Sequence, residues 1–201
     1  MPRRLVLASA SPARARLLEQ AGLAFEVMVS GVDESGADGQ SPEALVVELA
    51  RRKAGAVAAL LGDERTGGIV VLGCDSMFVF DGVVHGKPAS AEAARQRWRA
   101  MRGHEGTLLT GHCVIDTASN ASAEAVDACV VRFGDPTDAE VDAYVATAEP
   151  MAVAGGFTLD GLASPFVESV QGNPGTVIGL SLPLLRRLLA KLDVGITDLW
   201  R

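Results

Sequence analysis

The chain has 201 residues, of which 48% are hydrophobic, 21% charged and 4% aromatic, enough for one globular domain with an aliphatic core. Its 18 Lys and Arg against 25 Asp and Glu leave a formal net charge of −7, which disfavours binding to nucleic acid or to an anionic membrane surface. Small anions remain acceptable partners where basic residues gather. No apolar run approaches the ~18 residues of a membrane span, and the one after Arg3-Arg4 is too short for a signal peptide, so we expect a cytoplasmic protein.

The hydrophobic pattern predicts alternating strands and helices in the first part of the chain. The predicted elements are a strand at 4–8, a helix at 12–22 between Ser11 and Gly22, a strand at 25–30, a helix from 42 to about 61, and an apolar strand at 68–80. Asp81-Gly82 then predicts a tight turn into a second strand of a hairpin.

The rest of the chain contains more hairpins. The predicted elements are a helix at 91–101, paired strands at 107–116 and 128–133, a helix from 137 through 144, a strand at 166–170, a turn at 172–175, and a final helix at 184–192. This order predicts a single α/β domain over residues 1–201, built on a mixed, curved sheet.

Three cysteines stand far apart in the sequence: Cys74, Cys113 and Cys129. There is no CxxC pair and no Cys/His spacing suited to structural zinc. Buried free thiols in a reducing compartment are therefore expected.

A lysine stands inside the apolar face of the second predicted helix. Lys53 lies four residues after Leu49 and four before Val57, near the middle of the apolar stripe. An ammonium there is costly unless it is paired or reaches water. Lys53 either extends along its stem to solvent or a structural carboxylate, or binds an anion, and both interpretations stay open.

The first turn of the helix after Ser11 carries Arg14 and Arg16, where acidic residues are usually favoured. A capping serine, free backbone N–H groups and an arginine together suit a phosphate group. The alternative is that both arginines are solvated helix formers, which fits Arg16 better than Arg14.

A carboxylate interrupts the most hydrophobic segment of the chain, at Gly73-Cys74-Asp75-Ser76. Within a core strand, Asp75 either binds a cation or backbone or takes part in proton chemistry, whereas a structural cap would more naturally end the apolar run. Gly86-Lys87-Pro88, after the hairpin, lacks the features of a Walker A loop, and its lysine alone is more typical of a solvated loop.

Basic groups suited to a polyphosphate are thus accompanied by three acids able to hold Mg²⁺ or activate water: Asp33, Glu34 and Asp75. That combination is typical of a phosphoryl-transfer or phosphohydrolase site.

The same residues, in the same order, resemble the Maf family of nucleoside triphosphate pyrophosphatases over nearly the whole chain. The matching segments are Leu7 to Pro12 with Arg14 and Leu17, Val32-Asp33-Glu34, Ala50 to Ala54, Gly73 to Ser76, Gly86-Lys87-Pro88, Thr110-Gly111, Glu149-Pro150, Ala154 to Phe157, Gly161, and Gly172 to Leu180. Each motif is weak by itself, but this many in register is specific.

The resemblance implies a reaction, a fold and partners. The reaction is metal-dependent hydrolysis of a nucleoside triphosphate between the α and β phosphates, as a removal of non-standard or surplus nucleotides, with Mg²⁺ or Mn²⁺. The implied fold is an elongated mixed α/β structure related to inosine triphosphatases, of the Maf/Ham type, with two lobes around a central cleft. The implied assembly is a homodimer.

The resemblance also implies roles for individual residues. Asp75 matches the position of the general base, and Glu34 would be a metal ligand together with Asp75, with Asp33 a weaker candidate. Four residues fall where phosphate binders are expected: Ser9, Arg14, Lys53 and Lys87. Asp160 falls at a position associated with the choice of base.

The chain departs from the family pattern at four positions: Ala13 replaces one of two basic residues, Gly106 a histidine, Val153 a lysine, and Asp160 a common glutamine. These differences affect the expected base specificity, and none changes Asp75, Glu34, Lys53 or Lys87. The alternative hypothesis is a non-catalytic nucleotide-binding regulator of septum formation and cell division. A sequence-specific nucleic-acid binder is opposed by the charge of −7 and the lack of an aromatic-rich basic face.

Overall fold

The computed structural model describes residues 3–33, 40–61 and 68–201. The described strands are β1 (Arg4–Leu7), β2 (Phe25–Val27), β3 (Ile69–Phe80), β4 (Val83–His85), β5 (Glu105–Asp116), β6 (Ala121–Phe133) and β7 (Val167–Gln171). The described helices are α1 (Pro12–Gln20), α2 (Pro42–Leu60), α3 (Ala91–Met101), α4 (Asp138–Ala146), α5 (Pro174–Ile178) and α6 (Leu182–Ala190). Among these helices, none is both long and apolar enough to cross a membrane.

The strands form one mixed sheet, which confirms the predicted α/β class. Its order is β2-β1-β3-β5-β6-β7, and β4 pairs with β3 outside this path. Strand β1 runs parallel to both β2 and β3, whereas β4 is antiparallel to β3 and β7 is antiparallel to β6. The parallel pairs come from the first part of the chain, where helices connect the strands.

The chain divides into two compact units. The first comprises the described residues of Met1–Asp75, Thr110–Asp127 and Gly179–Arg201, and the second comprises Ser76–Leu109 and Ala128–Ile178. The first unit has two apolar clusters, one between β1, β3, α1 and α6, and the other between β1, β3 and α2. The second unit is built around aromatic rings, with Phe133 in edge-to-face contact with Phe78, Trp98 and Phe157.

Serine and threonine caps set the starts of the helices. Ser11, Ser41 and Ser90 each accept a hydrogen bond from the backbone N–H three residues later. Thr137 does the same in a capping box with Glu140. These residues satisfy N–H groups that the first helical turn leaves unpaired, so the predicted starts at Pro12, Pro42 and Ala91 are confirmed.

Several predicted element boundaries were wrong. Strand β6 begins at Ala121 rather than Ala128. The hydrophobic pattern did not indicate its first part, because only Ala123 is buried there and the apolar run starts later. The turn predicted at 172–175 continues into the short helix α5. The segment between α4 and β7 forms 3₁₀ turns at Glu149–Ala152, Ala154–Gly156 and Ser164–Phe166, which hydrophobic periodicity does not reveal.

Candidate functional site

Lys53 and Asp75 form a buried ion pair. The Nζ of Lys53, on α2, lies 2.5 Å from Oδ1 of Asp75, on β3, and the two side chains are only 11% and 10% exposed. The structure therefore excludes full extension of the Lys53 ammonium into solvent. Lys53 and Asp75, the two charges that the sequence places in apolar surroundings, therefore pair with each other.

Two glycines allow helix α2 to approach the sheet closely enough for this contact. A Cβ on Gly73 of β3 would overlap the carbonyl oxygen of Ala50 and lie 2.8 Å from the amide nitrogen of Ala54. A Cβ on Gly111 of β5 would overlap Val46. Direct contact between helix backbone and strand backbone thus sets the depth at which Lys53 reaches the sheet.

Arg14 and Ser9 form a second buried polar group in the same unit. The Nη1 of Arg14 donates to Oγ of Ser9 at 2.9 Å, and its Nε donates to the carbonyl oxygen of Gly179 at 2.8 Å. Ser9 also accepts a hydrogen bond from the amide of Ser11, the cap of α1. The alternative of Arg14 as a solvated helix residue was wrong, because its side chain is buried and donates to Ser9 and Gly179. Arg16 is exposed.

The thiol of Cys74 lies among the charges of both groups. Burial raises the pKa of Cys74 to about 11, and the cations of Arg14 and Lys53 act in the opposite direction to the anion of Asp75. In the first unit, two cations and a carboxylate therefore act on Cys74 in the middle of β3. All three cysteines are free and buried, as predicted.

Lys87 belongs to the second unit, in the loop after β4. Its side chain is exposed, whereas Pro88 beside it is buried. Arg97 of α3 donates from Nη1 to the carbonyl oxygen of Gly86 at 2.6 Å and so fixes this loop. Burial lowers the pKa of Arg97.

Asp160 also belongs to the second unit and is exposed. Its segment is held by Glu149, whose Oε1 accepts hydrogen bonds from Oγ1 of Thr158 at 2.5 Å and from the amide of Leu162 at 2.9 Å. A Cβ on Gly161 would lie 2.8 Å from the same Oε1. Glu149 is thus the organising residue of this segment, a role that its position in a non-periodic stretch did not reveal.

The described residues offer one buried carboxylate near Lys53 for a metal ion. Asp33 is exposed, Glu34 lies outside the described residues, and across 3–33, 40–61 and 68–201 no three His, Cys, Asp or Glu side chains gather around a common point. Mg²⁺ is commonly held by one or two carboxylates together with water and substrate phosphates. The Asp75 carboxylate is a donor of this kind, and the role of Glu34 beside it stays a prediction.

A surface pocket of about 490 Å³ runs along α2 on its side toward Val32 and Ile115. Its charged rim is Glu48 with Arg51 and Arg52, and both arginines donate to the Glu48 carboxylate. Arg51 is the more exposed of the two. Of the predicted site residues that the structure describes, none lines this pocket.

One departure from the expected pattern has a structural explanation. At Gly106, a Cβ would lie 2.6 Å from Cε2 of Phe78, because the Phe78 ring covers this part of β5. Phe78 is fully buried and makes ring contacts with Phe80, Phe133 and Phe157. The aromatic core of the second unit occupies the space that a side chain at position 106 would need.

A mixed sheet flanked by helices, with a buried lysine–carboxylate pair and a buried arginine beside a helix start, defines an α/β protein that holds charged side chains inside its first unit. More narrowly, the chain belongs to the Maf family, since the family model described as Maf-like protein matches residues 4–192.

Relatives of known name cover almost the whole chain. It is 59% identical over 198 residues to the nucleoside triphosphate pyrophosphatase of Streptomyces coelicolor, which is 98% of this chain and 95% of that protein. It is 52% identical over 200 residues to the protein of the same name from Salinispora tropica, covering 100% of this chain and 88% of that one. Among solved structures, the Staphylococcus aureus Ham1 protein is similar with a TM-score of 0.42 and 14% identity, covering 66% of this chain and 72% of that one.

Proposed function

We propose that the protein hydrolyses nucleoside triphosphates between the α and β phosphates, releasing a nucleoside monophosphate and pyrophosphate. The observation that carries the proposal is the buried 2.5 Å pair of Lys53 and Asp75, in which Asp75 would serve as the general base and Lys53 would bind phosphate. Relatives at 52% and 59% identity, named nucleoside triphosphate pyrophosphatase, support the same reaction.

Asp75 acts as the general base in this proposal. A water oxygen forms a bond to the α-phosphorus while its proton passes to the Asp75 carboxylate. The bond from the α-phosphorus to the oxygen bridging the α and β phosphates breaks, and pyrophosphate leaves with that oxygen. Lys53 holds the carboxylate in place and offers its ammonium to the phosphate oxygens on which negative charge gathers.

The other predicted residues bind the substrate. Arg14 with Ser9 contacts the phosphates in the first unit, and Lys87 supplies a further cation. Asp160 contacts the base and contributes to the choice among nucleotides. A divalent cation, Mg²⁺ or Mn²⁺, would be held by Asp75 and Glu34, where it would neutralise phosphate charge and polarise the reacting phosphoryl group.

The proposal extends to the setting of the reaction. On the strength of the family resemblance, the protein is a homodimer of the cytoplasm that removes non-standard or surplus nucleotides, and neither nucleic acid nor a membrane is a partner. The net charge of −7 supports the exclusion of long polyanions.

The test compares Asp75→Asn with Asp116→Asn. Asp116 is another buried carboxylate of the first unit, but it accepts from Arg3 and Ser119 outside the site. With Mg²⁺ or Mn²⁺ and a panel of ordinary and modified triphosphates, wild type and Asp116→Asn release monophosphate and pyrophosphate in equal amounts. Asp75→Asn, folded by circular dichroism, does not.

Three results contradict the proposal. Turnover in Asp75→Asn removes the base role from Asp75. Inorganic phosphate as the first product indicates cleavage at the γ phosphate. Absence of turnover in the wild type across the panel favours the regulator of cell division.

A further inference from the structure

His112 is a fully buried histidine of β5 that the proposed reaction does not use. Its Nδ1 lies 3.0 Å from the carbonyl oxygen of Thr110, and its Nε2 lies 2.9 Å from the amide nitrogen of Ser181. A backbone amide can only donate, so Nε2 is the acceptor and Nδ1 carries the proton that is donated to Thr110. The partners fix one neutral tautomer.

The amide bonded to His112 belongs to a short linker, Gly179–Ser181, between α5 and α6. Ser181 is fully buried and caps α6 by accepting from the amide of Leu184. Gly179 has a φ of +122°, which favours glycine, and its carbonyl oxygen accepts from Nε of Arg14 at 2.8 Å. His112 and Arg14 therefore hold the same three residues from two sides.

The bond between Arg14 and Gly179 decides where the guanidinium is directed. While Nε of Arg14 donates to the carbonyl oxygen of Gly179, Nη1 of the same guanidinium donates to Oγ of Ser9. A shift of the linker would move the carbonyl oxygen of Gly179 and release Arg14 from this orientation. The position of Arg14 thus depends on the anchoring of Ser181.

We propose that His112 is a positioning residue for phosphate binding: by accepting the amide of Ser181, it fixes the Gly179–Ser181 linker and thereby the guanidinium of Arg14 beside Ser9. The inference rests on the proposed function of Arg14 and Ser9 as phosphate binders.

The surroundings of His112 keep it neutral. Burial lowers its pKa to about 4, the cation of Arg14 acts in the same direction, and the bond to Thr110 and the anion of Asp127 act against it. Near neutral pH, Nε2 therefore remains an acceptor for the Ser181 amide. Protonation would place two N–H groups against each other and break this anchor.

Two amide substitutions separate the two hydrogen bonds of the ring. In His112→Gln, the side-chain oxygen can reach the position of Nε2 and accept from Ser181. In His112→Asn, the shorter amide can replace Nδ1 in the bond to Thr110 but cannot reach Ser181. Each variant keeps one hydrogen bond of the ring and loses the other. A general loss of packing would affect both variants alike, so a difference between them reports on the bond to Ser181.

The experiment measures kcat and KM for hydrolysis of a nucleoside triphosphate by wild type and both variants. We expect His112→Asn to raise KM about tenfold or more with kcat little changed, because Arg14 binds the phosphates equally in the ground and transition states. His112→Gln should remain within a few-fold of the wild-type KM. Binding of inorganic pyrophosphate by calorimetry should weaken in His112→Asn in the same proportion.

Nitrogen NMR of histidine-labelled protein supplies a readout that needs no substrate. The ring of His112 should show a protonated Nδ1 and an unprotonated Nε2 at neutral pH. A protonated Nε2, or equal KM values in the two variants while both are folded, overturns the inference. Failure of the wild type to turn over any triphosphate would instead remove the proposed function, and the pyrophosphate titrations would still test His112.

Discussion

Gly73 lies directly beneath Ala50, so that a β-carbon on the glycine would overlap the carbonyl oxygen of the alanine. Strand β3 and helix α2 are therefore in contact through their backbones. The contact lies two residues before Asp75 on the strand and three residues before Lys53 on the helix. A glycine that bears no functional group thus controls the distance between two charged side chains.

Gly73→Ala should separate α2 from β3 and weaken the pair of Lys53 and Asp75. Overpacking of this kind costs about 1–3 kcal/mol, and the blocking atoms are backbone atoms that cannot rotate away. Urea denaturation measures the loss of stability, and kcat should also fall because the base and the cation move apart.

A control is Gly55→Ala in the same helix, where a Cβ meets nothing within 4 Å. This change should stabilise the protein by up to about 1 kcal/mol, and a similar loss in both variants would contradict the explanation.

The buried pair predicts non-additive effects of substitution. Lys53→Met leaves the Asp75 carboxylate buried without its ammonium, which should cost about 3–5 kcal/mol of unfolding free energy. Asp75→Asn removes the carboxylate that pairs with the Lys53 ammonium and should destabilise the fold in the same way. The double variant should lose less stability than the sum of the single variants, since it removes both charges of the pair together. A double-mutant cycle in urea measures this coupling, and additive losses would show that the pair contributes nothing to folding.

Substitution of Arg97 should weaken substrate binding, although the sequence did not indicate the hydrogen bond from Arg97 to Gly86. Arg97→Met releases the carbonyl oxygen of Gly86 and loosens the loop of Lys87, so we expect KM for the triphosphate to rise about three- to tenfold. Arg99→Met is the matched control, because Arg99 is exposed on the same helix and pairs with Asp138 at 3.5 Å. Steady-state kinetics of both variants decide the matter, and a KM for Arg97→Met equal to that of the control would exclude a role in the loop.

The stability of the protein should depend on the protonation of His112. Its pKa of about 4 in the folded state lies below the ordinary value of 6.5, so the unfolded chain binds the proton more readily. The contribution is complete above about pH 6.5 and is lost as the pH falls toward 4, a change of about 3 kcal/mol. The difference in unfolding free energy between wild type and His112→Gln should narrow over this interval. A difference for His112→Gln that stays constant over this interval would disprove the assignment.

The sequence predicted the helix starts, the hairpin at Asp81-Gly82 and the mixed sheet, because caps, turn residues and periodicity are local properties. It also identified Lys53 and Asp75 as charges in apolar surroundings. It could not identify them as partners, since the contact depends on backbone packing at Gly73 and Gly111, and glycine in a strand is compatible with several structures.

The contacts of residues outside periodic segments are not indicated by the hydrophobic pattern. Glu149 organises the segment around Asp160 by accepting from Thr158 and Leu162, which lie 9 and 13 residues away. No pattern in sequence predicts such contacts, because they depend on the path of the 3₁₀ turns between them. The prediction of Glu34 as a metal ligand stays a prediction, as that residue lies outside the described part of the chain.

The distribution of the thiols makes local opening of the protein measurable without added labels. Cys74 and Cys113 lie in the two separate apolar clusters of the first unit, and Cys129 is buried in the second unit. Burial also raises the pKa of Cys113 to about 12, so reaction with a thiol reagent requires exposure of the sulfur. The rate of modification at each cysteine, followed by peptide mass spectrometry, therefore reports how often each cluster opens to solvent. A rate at Cys129 that differs from a shared rate at Cys74 and Cys113 would mean that the two units open independently, whereas one rate for all three would mean a single cooperative opening.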